Sequence, residues 1–158
     1  EEGELRPQLQ DRFGLSVDVR TPSDVPTRVE IIRSREAFDK DRGAFRKRWA
    51  RKESTLRRRI QRARESLDSV DTPANLLETA AKLCIALGTD GLRGELTLVR
   101  SARALASLNS DSTATLEHLK TIAPSVLRHR LRRDPLDESS ADIRVERVIA
   151  ELFNDCDD

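Results

Sequence analysis

Apolar residues recur every three or four positions along most of the chain, which is the spacing of one face of an α-helix. The clearest row steps by four, three, four and three, and consists of Leu56, Ile60, Ala63, Leu67 and Val70. It predicts a long helix over about 44–70. The same spacing predicts five further helices, over about 24–38, 74–87, 92–108, 115–131 and 140–152. We therefore expect a mainly α fold of about six helices.

The period also predicts which side chains face the core. On the 24–38 helix the inward row is Val25, Val29 and Ile32. On the 92–108 helix the expected inward residues are Leu96, Val99, Ala102 and Leu105.

One segment departs from the helical period. Residues 15–19 alternate apolar and polar side chains, which predicts a short, half-buried strand. A lone strand cannot form a sheet, so we expect it to pair with strands outside this chain. We therefore assign residues 1–20 to the end of a neighbouring α/β domain, residues 21–153 to a helical domain and residues 154–158 to an acidic tail.

Local signals predict where several helices begin and end. The segment 21–24, Thr-Pro-Ser-Asp, has the side chains of a helix start, and Thr115 is a second candidate cap. Glycines in the segment 88–91 stand where a C-terminal cap requires them. We expect a turn over 40–43, and a kink or break at Pro124 because proline removes a helical hydrogen bond.

Composition restricts the core and the partners. Hydrophobic residues make up 37% of the chain and aromatic residues only 3%, so the core must consist of Leu, Ile, Val and Ala. Charged residues make up 36%, yet the net charge is only +1, which argues against a nucleic-acid partner. No apolar run approaches the roughly 20 residues that a membrane span needs. The Arg-rich 44–70 helix is expected to have a solvated basic face, with an acidic partner surface as the alternative.

The chain begins at Glu1 and contains no methionine, so we expect an excised or processed segment. Cys84 and Cys156 lack metal-type spacing and are expected to be reduced thiols. Cys84 lies on an apolar helix face, which predicts a buried structural thiol and leaves a redox switch as the alternative. His118 and His129 lack companion ligands at metal-binding spacing, so no metal site is expected.

Two further residue types have no predicted chemistry. Three serines, Ser101, Ser107 and Ser125, show no base partner, so nucleophilic catalysis is not expected. Trp49, the only tryptophan, is expected to be a partly buried packing residue or an interface contact.

Three blocks of sequence resemble those of one known family. Residues 1–14, EEGELRPQLQDRFG, resemble a block of magnesium-chelatase ATPase subunits that follows the sensor 1 asparagine. Residues 90–97, DGLRGELT, are similar to the family's sensor 2 motif, and residues 129–136, HRLRRDPL, resemble a third block near its C-terminus. Their order and spacing agree with the family over nearly the whole chain. Gln10 departs from the family's usual leucine, beside the Asp-Arg pair.

The resemblance implies the C-terminal half of subunit I, an AAA+ ATPase, with a helical lid domain. It implies assembly with further copies in an expected hexameric ring, with an AAA+ D subunit and with a porphyrin-binding H subunit. Such a complex inserts Mg²⁺ into protoporphyrin IX in chlorophyll or bacteriochlorophyll synthesis, as an ATP-dependent ligase that forms nitrogen–metal bonds. The implied location is the bacterial cytoplasm or the plastid stroma.

The resemblance also implies ATP and Mg²⁺ as cofactors of the full-length protein. This chain contains no Gly-x-x-x-x-Gly-Lys-Ser/Thr loop and no acidic strand end that would hold Mg²⁺. In the family both segments, Walker A and Walker B, lie upstream. We therefore expect that the chain alone holds no cofactor and neither binds ATP tightly nor hydrolyses it.

By the resemblance, Arg12 is the arginine finger, which acts in trans on the ATP of a neighbouring subunit, and Asp11 is expected to orient it through a salt bridge. Arginine suits this role because its planar, permanently charged fork matches phosphate, and such fingers contribute roughly 10³–10⁵ in rate. Arg93 matches sensor 2 at the start of a predicted helix, where free amide donors favour anions. Whether Arg93 acts on its own subunit's nucleotide or across an interface is open.

Simpler roles compete with these assignments. Asp11 and Arg12 are also compatible with an ordinary surface ion pair, and Arg93 with a solvated side chain at a helix start. For the whole protein, one alternative is a MoxR-type AAA+ remodelling chaperone, which shares the finger and sensor residues; the 129–136 block argues against it. Another is a helical interaction module with no nucleotide role.

Overall fold

A computed structural model of the chain describes residues 6–89, 91–131 and 141–154. Its helices are α1 (Pro7–Gln10), α2 (Val25–Lys40), α3 (Arg42–Ser66), α4 (Ala74–Ala86), α5 (Arg93–Asn109), α6 (Leu116–Leu127) and α7 (Ala141–Asn154), with a short 3₁₀ turn, Leu67–Ser69, after α3. Apart from the four-residue α1, the described part of the chain holds six α-helices, which confirms the predicted fold class. None of its helices is long and apolar enough to cross a membrane.

The predicted strand over 15–19 is wrong for the described structure. The described residues contain no strand, and the one β-type pairing is an isolated bridge between Asp71 and Thr113. The segment has no regular secondary structure, and among the described residues no neighbouring strand lies beside it to pair with. Its backbone is held instead by a single hydrogen bond, in which Ser16 N donates to Ser125 O at 2.8 Å.

The chain divides into two compact units, residues 1–17 with 63–158 and residues 18–62. We call the first the core unit and the second the hairpin unit. The last turn of α3 belongs to the core unit, while α2 and the rest of α3 form the hairpin unit. The domain boundaries predicted from the sequence remain a prediction.

The core unit buries aliphatic side chains between α4, α5, α6 and α7. Its largest fully buried side chains are Leu76, Leu83, Leu98, Leu119, Leu127, Val126, Val145 and Cys84. No aromatic residue lies among the buried residues that the structure describes. This confirms a core of Leu, Ile, Val and Ala.

The buried face of α5 is rotated from the predicted one. Its buried residues are Gly94, Leu98, Ala102, Ala106 and Ser107. Only Ala102 belongs to the row expected from the apolar period, and Leu96 is exposed. Gly94, Ala102 and Ala106 lie on this face because closely packed helices need small side chains there. The prediction was based on the spacing of large apolar residues such as leucine, so it placed the buried face elsewhere.

Helix ends follow the local signals closely. Asp24 Oδ1 accepts from Thr27 N at 2.9 Å as the N-cap of α2, and Thr115 forms a capping box with His118 at the start of α6. Gly88, with φ of 65°, ends α4 in a Schellman motif, in which Thr89 N donates to Cys84 O and Gly88 N to Ile85 O. These caps were predicted, except that the reciprocal partner is histidine.

Of the two predicted helix breaks, the one before α3 is present but shorter than expected, and the one at Pro124 is absent. The expected turn over 40–43 shrinks to the single residue Asp41, and Gly43 lies inside α3. Pro124 does not break its helix, since α6 continues to Leu127. The expected caps Ser139 and Ser140 and the acidic residues 155–158 lie outside the described residues.

Candidate functional site

The candidate site begins at the turn that follows α1. Arg12 N donates to Leu9 O at 3.0 Å and Phe13 N to Gln10 O at 3.1 Å, so the chain reverses at Asp11 and Arg12. Gly14 then runs beside α5, because a Cβ placed on it would lie 3.7 Å from Thr97 Cγ2. The turn therefore lies beside α5 within the core unit.

Asp11 accepts hydrogen bonds from two arginines that are distant in sequence. Arg93 Nη1 pairs with Asp11 Oδ2, and Arg130 Nη1 pairs with Asp11 Oδ1 at 2.6 Å. The carboxylate is 41% exposed, the Arg93 side chain 55% exposed and the Arg130 side chain 3% exposed. One carboxylate thus faces two guanidinium groups, and this cluster carries an excess positive charge.

Arg93 is the first residue of α5, as predicted. Gly91, with φ of 67°, turns the chain two residues before it, and Leu92 at the N-cap makes no side-chain capping bond. The first turn of a helix leaves backbone N–H groups without helical partners and carries partial positive charge. A half-exposed guanidinium at this position adds to a surface that favours anions.

Arg12 is exposed, and the salt bridge predicted between Asp11 and Arg12 is absent from the described residues. Both oxygens of the Asp11 carboxylate are bonded to Arg93 and Arg130 instead. These two guanidinium groups come from the first residue of α5 and from the turn after α6, whereas the Arg12 side chain projects from the 11–12 turn itself. Asp11 therefore holds the turn and leaves the Arg12 side chain unpaired among the described residues.

Arg130 and His129 belong to the site but were not predicted to. Arg130 Nη1 also donates to Asp11 O at 2.6 Å, and Arg130 Nη2 donates to Phe13 O at 2.8 Å. His129 Nε2 donates to the same Phe13 oxygen at 2.9 Å. Both residues stand in the 129–136 block that carries the family resemblance, and that block was the one signal that could have found them.

Burial lowers the pKa of His129 below its ordinary value of 6.5, and the nearby charges of Arg130 and Arg128 lower it further against the opposing hydrogen bond to Phe13. The imidazole is therefore neutral near pH 7. Its Nε2 carries the proton, because a carbonyl oxygen can only accept. Its buried Nδ1 has no hydrogen-bond partner, so a second proton would be poorly solvated there.

Cys84 has the environment of a structural thiol. It is fully buried, and burial raises its pKa to about 11. The reactive thiolate is therefore scarce at neutral pH, which favours the structural role over the redox switch. Burial of this thiol was predicted.

The remaining singled-out residues have packing roles. His118 Nδ1 accepts from Thr115 N at 3.1 Å, and its Nε2 bonds to Asp111 Oδ2 at 3.0 Å. Ser107 Oγ donates to Ala63 O at 2.6 Å. Trp49 is partly buried beside Phe45, with ring centroids 6.0 Å apart, as expected of a packing residue.

Comparison with known proteins agrees with the helical architecture. The AAA lid domain model matches residues 77–151. The magnesium-chelatase 38 kDa subunit of Acidiphilium rubrum is 58% identical over 154 residues, which span 98% of this chain and 45% of that subunit. The corresponding subunit of Rhodobacter capsulatus is 56% identical over 97% of this chain and 44% of its own length.

The chain belongs to the magnesium-chelatase ATPase subunit family. A plant member, the chloroplastic magnesium-chelatase subunit ChlI of Oryza sativa subsp. indica, is 42% identical over 97% of the chain and 37% of its own length. The chain spans less than half the length of these curated relatives. Together with the lid match, this agrees with the predicted C-terminal half of an AAA+ subunit.

A solved structure also resembles the chain. A crystal structure of a candidate ATPase from Cytophaga hutchinsonii matches with a TM-score of 0.69, over 94% of this chain and 48% of that one, at 16% identity. At this identity the likeness shows the fold alone, and the fold is the AAA+ helical one that the sequence predicted.

Proposed function

We propose that this chain is the C-terminal part of the motor subunit of a magnesium chelatase. The full-length subunit hydrolyses ATP, with Mg²⁺, in a ring with copies of itself and with the D subunit. The ring drives the porphyrin-binding H subunit to insert Mg²⁺ into protoporphyrin IX, in a bacterial cytoplasm or plastid stroma. Family membership supports this proposal, and the Asp11–Arg93 contact is the structural observation that carries it.

In this proposal Arg12 is an arginine finger that reaches the γ-phosphate of a neighbouring subunit's ATP. Its side chain is exposed and has no ion-pair partner among the described residues, so no internal bond has to break when it meets phosphate. A guanidinium group stabilises the charge that develops on the transferring phosphoryl group. Arg12 therefore acts on the transition state more than on ATP binding.

Arg93 is the sensor 2 residue of the same site. Its carboxylate partner, Asp11, is the residue immediately before Arg12, so Arg93 is bonded to the residue that adjoins the proposed finger. We infer that both reach the same nucleotide, and since the finger acts in trans, Arg93 acts across the same interface. Phosphate competes with Asp11 for Arg93, and this exchange links nucleotide binding to the position of the lid.

Replacement of either arginine in the full-length subunit tests the proposal. We expect Arg12→Ala to retain ATP binding while its kcat for hydrolysis falls by roughly 10³-fold or more. Arg93→Ala should also weaken nucleotide affinity, because it removes a phosphate contact. Arg100→Ala is the matched control, since Arg100 is an exposed arginine on the outer side of α5.

Unchanged hydrolysis in both variants would contradict the assignment of Arg12 and Arg93 to the nucleotide site and would favour the helical interaction module. The remodelling-chaperone alternative is tested separately, by Mg²⁺ insertion assayed with the D and H subunits. No described residue favours that alternative, and the relatives reported above are magnesium-chelatase subunits.

A further inference from the structure

Arg130 is a buried arginine whose terminal nitrogens all point at one short segment. It lies in the turn three residues after the end of α6, its N–H donates to Leu127 O at 2.8 Å, and its side chain is 3% exposed. The guanidinium group donates to the carboxylate of Asp11 and to the backbone oxygens of Asp11 and Phe13, over distances of 2.6–2.8 Å. A buried guanidinium group is costly to desolvate, so these bonds hold it in one place.

The two backbone oxygens stand on either side of Arg12. Arg130 therefore binds the carbonyl groups of the residues before and after the proposed finger, while the Arg12 side chain itself is exposed. His129 adds a third bond, from Nε2 to Phe13 O at 2.9 Å. The planar fork of arginine offers donors on two terminal nitrogens in a fixed geometry, whereas lysine has a single nitrogen on a flexible stem.

We propose that Arg130 is the positioning residue of Arg12. It fixes the 11–13 turn to the end of α6, so that the finger leaves the surface in one direction before any nucleotide arrives. Reacting groups that are held in position avoid an entropic cost in the transition state, and an error of about 1 Å can lower a rate by roughly 10²-fold. This inference rests on the proposed role of Arg12 as a finger that acts in trans.

The test uses Arg130→Lys in the full-length subunit, which keeps the positive charge but replaces the two terminal donor nitrogens, each bound to a different backbone oxygen, by one. We expect kcat for ATP hydrolysis to fall by up to about 10²-fold. The KM for ATP should change little, because the finger acts on the transition state more than on ATP binding. Arg100→Ala is again the control and should leave both constants unchanged. Wild-type kcat in Arg130→Lys, or loss of ring assembly, would overturn the proposal.

A mixing experiment separates positioning from a general structural role. Arg130→Lys subunits are mixed with subunits in which the lysine of the upstream Walker A loop, Gly-x-x-x-x-Gly-Lys-Ser/Thr, is replaced. The first have intact pockets and the second have intact fingers, so mixed rings should hydrolyse ATP faster than the sum of the separate variants. Absence of this recovery would contradict the assignment of Arg130.

The same mixture made with Arg12→Ala distinguishes the two proposals. If hydrolysis recovers in mixtures with Arg12→Ala but not in mixtures with Arg130→Lys, the trans finger is supported and the positioning role of Arg130 is rejected. Failure to recover with Arg12→Ala, or full hydrolysis by that variant alone, rejects the trans finger itself.

Discussion

The core unit and the hairpin unit have the same apolar periodicity but use it differently. In the core unit, α4 to α7 pack buried apolar residues against one another, with Leu83 and Leu119 fully inaccessible. In the hairpin unit, α2 has no buried residue, and on α3 the side chains of Leu56 and Ile60 are 55% and 45% exposed. Helical spacing of apolar residues therefore predicts a helix in both units and a packed core in only one.

The local bonds of the hairpin unit explain why its helices form without a core. Asp24 caps α2, Arg35 and Asp39 pair across one helical turn at 2.8 Å, and Phe38 packs edge-on against Phe45 at 5.6 Å. Each such local contact makes only a small contribution to stability. The core unit adds the burial of many aliphatic side chains, each of which contributes more.

The largest expected difference between the units is in leucine truncation. Leu119→Ala should lower the free energy of unfolding by about 2–5 kcal/mol, because it leaves a cavity in the core. Leu56→Ala should change it by less than about 0.5 kcal/mol, because that side chain is already exposed. Urea unfolding of the 158-residue chain, followed by circular dichroism, measures both. Equal losses would mean that the apolar stripe of α3 is covered in solution, and the comparison would fail.

Removal of a helix cap should also affect the two units differently, with a smaller change in the free energy of unfolding than leucine truncation. Thr115→Ala removes the N-cap of α6 in the core unit and should lower the free energy of unfolding by about 1 kcal/mol. Asp24→Ala removes the equivalent bond from α2, outside the core, so the unfolding of the core unit should not change. Trp49 lies in the hairpin unit and is the only tryptophan, so its fluorescence follows that unit separately. If the chain shows a single unfolding transition, and Thr115→Ala and Asp24→Ala shift it equally, the two units unfold together.

The smallest expected effect is the pH dependence of stability that His129 causes. It concerns the core unit, since both histidines lie there. The folded pKa of His129 is below its ordinary value of 6.5, so as pH falls below 6.5 the unfolded state takes up the proton first. Stability that is present above 6.5 is then lost. His129→Gln keeps an amide donor for Phe13 O without titrating, so it should lose less stability than wild type between pH 7 and 5. A steeper loss in the variant would contradict the assigned direction.

Predictions from the sequence were accurate where they depended on near neighbours. The start of α5 at Arg93, the glycine that ends α4, the Thr115 cap and the buried Cys84 all follow from residues within one or two helical turns. The three motif blocks were likewise contiguous, and so they were sufficient to indicate the family.

The predictions that failed depended on distant residues. Asp11 was expected to pair with its neighbour Arg12, yet its partners lie 82 and 119 positions away. The 15–19 segment has the alternation of a strand, but a strand forms only where another strand lies beside it. On α5, the buried face passes through Gly94 and Ala106 because the neighbouring helices approach there.

The sequence by itself determined the helices, their caps, the aliphatic core composition and the family, because each depends on the order of residues along the chain. Only the tertiary structure decided which apolar faces are buried, which arginines hold Asp11 and how Arg130 binds both sides of Arg12. The physical reason is that a carboxylate or an apolar face is satisfied by whichever groups the packed helices bring next to it, and sequence spacing does not encode that proximity.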